Sequence, residues 1–348
     1  MKILIRATNW VGDAVMALPA LRAVRERFPD AEIAVVARPH VADLYRCQQI
    51  CDRLIAYDPG GAHRGLRGRE RFTAELRAQK FDVALLLQNA FDAAWLAWRA
   101  AIPERIGYAR DGRRFLLTRA VKVPEPGEIP AHEQFYYLEL LRRAGWIDAL
   151  PKENLITLNV PAENRKKAGD FLLGAGVRPN ALRIAVGAGA SYGSAKCWPP
   201  DRFADLANRL KDHTDADVIL FGTAAEAAVT SAIAAGMHHS PIDLTGKTSI
   251  VDLPAVLSQC HFFIGNDSGA MHVAAAVGLP VVAVFGPTDP HGTAPVTPRC
   301  SVVREKPHCS PCFLRRCPID HRCMTKITAA AVEAAAKPWL ASLEVHPV

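Results

Sequence analysis

No segment of this 348-residue chain reads as a membrane span. The longest uncharged stretch, Ser268 to Thr288, is broken by Gly278 and Pro280 into a helix and a strand. No secretory leader is expected, because MKILIRA is a short strand-like run with Lys2 and Arg6 inside it. There is no short-period repeat and no low-complexity tract, which excludes solenoids and disordered linkers. The nine cysteines are unevenly placed, five of them between Cys300 and Cys323. Without a leader they read as reduced thiols or metal ligands, not as a disulfide framework.

What is present suits a two-domain globular protein: half the residues are hydrophobic and 22% are charged. The net charge of +7 is local. Residues 63–122 hold 13 Lys/Arg against six Asp/Glu, and the densest part is HRGLRGRERF with Arg64, Arg67, Arg69 and Arg71. Such a surface suits an anionic partner or is a solvated surface loop. Its arginines are not interleaved with aromatic residues as a base-stacking platform needs, so nucleic acid is not expected.

Strand and helix patterns alternate along the chain. KILIRA, EIAVVA, RLIAY and DVALLL are aliphatic strands, and Val15, Leu18, Leu21, Val24 and Phe28 share a helical face. RIAVGA, DVILFG, HFFIG and PVVAVFG form a second series. Continuous aliphatic strands with intervening helices predict α/β architecture: two doubly wound parallel-sheet domains. The expected division is 1–160, 161–327 and a C-terminal helical segment 328–348 that could pack on either domain, a return to the N-terminal one included.

Ligands in such sheets bind beyond the carboxyl ends of the strands. GNDSG (265–269) turns a buried strand into a small-residue helix, which leaves N–H groups and a helix dipole to receive a phosphate. There Gly269 allows close approach, Ser268 can donate a hydroxyl, and Asp267 can orient a lysine or a sugar hydroxyl. His272 lies one turn further on and either packs or faces the phosphates. GAGASYGSAK offers Ser191 and Lys196, the latter a point charge for a leaving phosphate. Its Gly187, Gly189 and Gly193 look like a dinucleotide fingerprint. However, the nearest strand-end acid, Glu226, follows Gly189 by 37 residues instead of about 20. Glu226 can bind ribose hydroxyls or simply sit in a helix first turn. Asp13, after Gly12, is either an N-cap or a general base.

The ordered motifs RATNWVGDAVMALPAL, GASYGSAKCWP, FGTAAE and GNDSGAMHVAAAVGLPVVAVFGPTDP resemble the ADP-heptose:lipopolysaccharide heptosyltransferases of glycosyltransferase family 9. The resemblance spans nearly the whole chain, and the TNW insertion and the tail CSPCFLRRCPIDHRCM are most like its heptosyltransferase II branch. It implies a GT-B fold, two Rossmann-like domains facing a cleft. It implies inverting transfer of L-glycero-D-manno-heptose from ADP-heptose to the first heptose of the lipopolysaccharide inner core, with no metal or other cofactor in the chemistry. It implies a heptosyl-Kdo2-lipid A type acceptor and a cytoplasmic enzyme peripheral to the inner membrane. Asp13 would be the base. Ser191, Lys196, Asp267, Ser268, Gly269 and His272 would hold the diphosphate and heptose, Glu226 the ribose, and Thr248 would border the adenine. Arg64, Arg67, Arg69, Arg71 and Asn89 are expected on the acceptor. Ala188 and Ser194 stand where prolines are expected, which loosens the loop without removing a ligand.

Another family-9 transferase with a different sugar or acceptor, a nucleotide-sugar epimerase and a non-catalytic binding protein are the alternatives. In the tail, Cys309, Cys312, Cys317 and Cys323 are either reduced thiols or a structural Zn²⁺ site.

Overall fold

The computed structural model describes residues 1–152 and 155–344. The chain divides into two compact units, Met1–Asn154 and Leu155–Val348. The junction is therefore upstream of the expected residue 160. Residues 155–160 belong to the second unit, where the Leu158 N–H donates to the Ala276 carbonyl at 2.8 Å.

The first unit is built on six parallel strands: β1 (Lys2–Arg6), β2 (Glu32–Ala37), β3 (Arg53–Ala56), β4 (Val83–Leu86), β5 (Glu104–Tyr108) and β6 (Arg119–Val121). Their spatial order is β3-β2-β1-β4-β5-β6. The second unit has β7 (Arg183–Gly187), β8 (Asp217–Phe221), β9 (Ile242–Asp243), β10 (Phe262–Asn266), β11 (Val281–Phe285) and β12 (Cys300–Arg304). They lie in the order β12-β11-β10-β7-β8-β9, also all parallel. Read from its own first strand, the second sheet repeats the order of the first. In each, the winding reverses beside the first strand, between β1 and β4 and between β7 and β10, and this crevice is where ligands of doubly wound sheets bind.

The aliphatic runs form the central strands because both faces are covered: β4, β8, β10 and β11 are buried at every residue. β5 and β6 carry charges, and β9 is very short, so their apolar signal is weak. The helical face from Val15 to Phe28 belongs to two helices, Val11–Met16 and Leu18–Arg27. Pro19 is the cause: it lacks an N–H and its ring collides with a carbonyl one turn back, so the helix restarts around it.

The C-terminal helix Ala329–Glu344 belongs to the second unit. It lies on the helix Pro200–His213 and on β11 and β12 of its own unit, with Val332 and Ala336 in that core. Its apolar positions find there the face that the alanine-rich sequence left unassigned. Residues 345–348 of the expected terminal segment lie outside the described residues. Among the described residues no helix is long and apolar enough to cross a membrane.

Candidate active site

At the crevice of the second sheet, Gly187 on β7 is paired in register with Gly265 on β10. A Cβ on Gly187 would lie 2.6 Å from the Phe263 ring, and one on Gly265 would lie 2.6 Å from the Gly187 carbonyl oxygen. Only glycine fits this close approach. Asn266 ends β10 fully buried. Its amide donates to the Ala188 carbonyl at 2.6 Å, and its side-chain oxygen accepts from the Trp198 N–H at 3.0 Å. Both ends of the 188–198 loop are thus tied to the strand. Trp198, itself fully buried, donates its indole N–H to the Ile327 carbonyl at 3.0 Å.

This frame brings Lys196 to Asp267. The ammonium donates to Asp267 Oδ2 at 2.5 Å, and the Thr288 hydroxyl donates to the same oxygen at 2.6 Å. The side chains of Lys196 and Asp267 are only 12% and 4% exposed. The lysine is therefore a held cation, not a loose one. It lies 4.9 Å from the centre of the Tyr192 ring, with the Arg315 guanidinium 5.4 Å from the same ring. Ser268 is the extended residue preceding the helix Gly269–Ala276, and its hydroxyl is buried with no hydrogen-bond partner among the described residues. A buried hydroxyl without a partner is costly unless something fills its place. An anion at this helix start would meet that hydroxyl, the unpaired N–H groups from Gly269 onward, and the lysine. His272 is one turn along and buried, and Ser191 is exposed in the neighbouring loop.

The cysteine-rich segment braces this loop. Gly193 has φ +155°, and a Cβ there would lie 2.3 Å from the Arg315 carbonyl oxygen. That oxygen accepts from the Ala195 N–H at 3.1 Å, and His321 Nε2 sits 2.7 Å from the Ala195 carbonyl. Among the described residues no group of three or more His, Cys, Asp or Glu side chains is placed to hold a metal ion. Cys309 and Cys312 are exposed, whereas Cys323 is buried beneath Gly286, in the apolar core with Met324. Burial, with the neighbouring thiols, pushes the Cys323 thiol up to about 11.

Glu226 follows β8 and closes a capping box, accepting from the Thr223 N–H at 2.7 Å and the Thr223 hydroxyl at 2.9 Å. Its other oxygen rests on Gly189, where a Cβ would lie 1.8 Å away. The GKT turn is bound to the same loop, with the Gly246 N–H donating to the Gly222 carbonyl at 2.8 Å. Half-buried Thr248 is two residues further on. Glu226 and this turn therefore border one surface beside the β7 loop.

The crevice of the first sheet carries different chemistry. Asp13 is the third residue of Val11–Met16, and the N-cap position belongs to Trp10, so Asp13 is not the cap. The helix Glu133–Arg143 packs on this short helix. Its Glu133 carboxyl is pushed up to about 7, first by burial and next by the charge of Asp13. The buried hydroxyls of Tyr45 and Tyr137 are also raised, by burial and then by Asp13. Glu133 was not legible as a site residue, since a first-turn glutamate ordinarily serves the helix dipole.

Two buried arginines shape this unit. Arg6 donates to the Ala7 carbonyl at 2.7 Å and to Asn9 Oδ1 at 3.0 Å. Arg113, fully buried, donates to the carbonyls of Tyr108 and Gln88 and to Asn89 Oδ1. Burial lowers each guanidinium to about 10. Asn89 Nδ2 in turn donates to the Tyr136 hydroxyl at 3.1 Å, so both ends of Asn89 serve the Arg113 network. The basic segment is a helix, Gly65–Ala78, and not a loop. Arg64 and Arg67 are exposed. Arg69 stands 3.6 Å from Asp92, and Arg71 stands 3.9 Å from Glu75.

Two doubly wound parallel-sheet units in one chain are the architecture of the GT-B glycosyltransferases. Residues 69–322 match the model of glycosyltransferase family 9 (heptosyltransferase), and the chain belongs to that family. The lipopolysaccharide heptosyltransferase 2 of Salmonella typhimurium is 31% identical over 313 residues, covering 87% of this chain and 88% of that protein. The lipooligosaccharide heptosyltransferase 2 of Haemophilus influenzae is 30% identical, covering 87% and 88%. Among solved structures, the ADP-heptose lipopolysaccharide heptosyltransferase II of E. coli superposes with a TM-score of 0.82 at 27% identity, over 99% of this chain and all of that one. A family-9 transferase from Veillonella parvula shares the fold, with a TM-score of 0.86 at 23% identity over 98% of this chain and 97% of that one.

Proposed function

We propose that this enzyme moves L-glycero-D-manno-heptose from ADP-heptose to the first heptose of the lipopolysaccharide inner core, with inversion at the anomeric carbon. The observation that carries the donor half is the Lys196–Asp267 pair beside the unpartnered Ser268 hydroxyl. The names of the relatives support the sugar and the pathway.

In this reading Asp13 takes the proton of the acceptor hydroxyl while that oxygen bonds to the anomeric carbon. The bond from that carbon to the phosphate oxygen breaks, and its electron pair leaves with ADP. Charge grows on the departing diphosphate, so Lys196, Ser268 and the N–H groups at Gly269 act most strongly in the transition state. Asp267 aims Lys196. Ser191 and His272 border the diphosphate and heptose, Glu226 takes ribose hydroxyls, and Thr248 borders the adenine. No cofactor beyond the donor enters this reading. Arg64 and Arg67, with Arg69 and Arg71 behind their ion pairs, attract the phosphates and carboxylates of a heptosyl-Kdo2-lipid A type acceptor. That acceptor would be held at the cytoplasmic face of the inner membrane. Asn89 acts on the acceptor side indirectly, by holding Arg113.

The test is a donor–acceptor assay with core acceptors of defined length. ADP release coupled to heptose addition on the one-heptose acceptor is expected. Transfer only to a heptose-free acceptor, or turnover of ADP-heptose to an epimer without acceptor, would assign a different reaction.

A further inference from the structure

The first unit gathers cations that the proposed reaction does not use. Arg6 ends β1, and its side chain is buried. Each hydrogen bond it donates goes to a neutral oxygen: the carbonyls of Ala7 at 2.7 Å and Val36 at 3.3 Å, and Asn9 Oδ1 at 3.0 Å. Its Nε is buried with no hydrogen-bond partner among the described residues. Arg38, which follows β2, donates from Nε to the same Asn9 oxygen at 3.4 Å. Both guanidiniums also stand over the Tyr57 ring, 5.5 and 5.9 Å from its centre. A ring face and an amide oxygen ease two such charges without neutralising them. The carboxylate that acts on Arg6 is Asp92, and it already meets Arg69 at 3.6 Å and the Tyr57 hydroxyl at 3.5 Å. Three guanidiniums thus depend on one carboxylate. Arg38 is half-buried, and its Nε bond is the only hydrogen bond it makes among the described residues, which leaves the rest of its fork for a ligand. His40, exposed beside it, places Nε2 2.9 Å from the Asn9 carbonyl. A carbonyl only accepts, so Nε2 carries the proton.

We propose that Arg38, Asn9 and His40, over the buried Arg6, form a subsite for an oxyanion, a phosphate or carboxylate group of the acceptor. This rests on the reading that the acceptor binds the first unit beside Asp13. An anion here turns two like charges that share one oxygen into ion pairs. The terminal N–H groups of Arg38 form a planar fork that matches two oxygens of a phosphate or carboxylate. Asn9 holds both cations, and Arg6 acts from beneath through its charge. Asn9 also lies in the short segment between β1 and the helix that carries Asp13. An anion fixed at Asn9 therefore anchors one end of the acceptor close to the base. The basic helix Gly65–Ala78 differs: its exposed arginines attract from a distance, whereas this cluster is fixed by its shared oxygen.

The experiment follows the thermal unfolding midpoint of the ADP-bound protein, whose second-unit seat is then filled, with inorganic phosphate or glucuronate at constant ionic strength. Phosphate stabilises proteins non-specifically, so the readout is the difference between wild type and variants. Wild type should gain roughly 2–4 °C more than Asn9→Asp or Arg38→Gln, and the anion with the larger difference identifies the group. Asn9→Asp sets a carboxylate between the two guanidiniums and should raise the midpoint with no anion added. Arg38→Gln removes a like charge and should leave the anion-free midpoint equal or higher. Arg38→Gln should also raise acceptor KM about tenfold, the worth of one charge-assisted contact, with the KM for ADP-heptose unchanged. Removing the acceptor's phosphates, or converting its carboxyls to amides, should cost wild type that same factor and Arg38→Gln nothing further. Equal anion shifts in all three proteins overturn the proposal, and so does an unchanged acceptor KM in Arg38→Gln. An anion-free midpoint several degrees lower in Arg38→Gln would make the cluster scaffold and overturns it too. Wild type that shows the anion difference but transfers nothing to the one-heptose acceptor would overturn the reading of the reaction and uphold the subsite.

Discussion

The two sheets share one strand order and differ in what they place where the winding reverses. After β1 stand two carboxyls and two buried tyrosines. After β7 and β10 stand a buried Lys–Asp pair, a helix start and an unpartnered hydroxyl. Topology therefore provides the place and the loops provide the chemistry. The cations differ as well. Lys196 keeps 12% of its side chain exposed beside the anion seat, whereas Arg113 is sealed at 0% among carbonyls. In the proposed reading the first cation meets the donor's diphosphate, while the second holds the scaffold.

The sharpest way to break this contrast is to remove Lys196. Lys196→Ala should lower kcat/KM about 100- to 1000-fold, the scale of a lost oxyanion-type donor. It also strands the buried Asp267, at a stability cost of up to about 3–5 kcal/mol. Adding Asp267→Asn should recover stability in urea melts without recovering transfer. A loss of transfer below about threefold would remove Lys196 from the anion seat.

Removing the structural cation should do the reverse. Arg113→Ala leaves the carbonyls of Tyr108 and Gln88 and Asn89 Oδ1 without their donor. We expect a loss of roughly 3 kcal/mol in urea unfolding, with donor affinity of the folded fraction unchanged. Weaker ADP binding in the folded fraction would make Arg113 a ligand residue.

Glu226→Ala should weaken ADP about tenfold, the worth of one good hydrogen-bonding carboxylate. Inorganic pyrophosphate should bind unchanged if Glu226 serves the nucleoside end as proposed. Equal losses for both ligands would place it on the diphosphate. The smallest effect belongs to the basic helix. Arg64→Ser with Arg67→Ser should raise acceptor KM about threefold and flatten its salt dependence. The ion-paired Arg69 and Arg71 should matter less. A KM unaffected by salt in both forms would make the arginines plain surface.

The aliphatic strands and the loops after them were legible because buried parallel strands read as continuous apolar runs, and these alone place Asp13, Lys196, Glu226 and GNDSG at strand ends. Lys196 and Asp267 are 71 residues apart in the chain, and their pairing depends on Asn266 tying down the 188–198 loop. No local pattern announces such a tie. Glu133 and Arg113 were hidden for a related reason: their character comes from burial by other segments, while their neighbours in sequence look ordinary.

The proposed mechanism divides the labour, with proton removal in the first unit and donor anchoring in the second. Calorimetric titration of ADP, paired with single-turnover transfer, tests it most directly in Asp13→Asn beside Lys196→Ala. Asp13→Asn should keep ADP affinity within about twofold while transfer falls about 100-fold or more, and Lys196→Ala should lose affinity and transfer together. Near-normal transfer in Asp13→Asn, or ADP affinity unchanged in Lys196→Ala, would contradict the division.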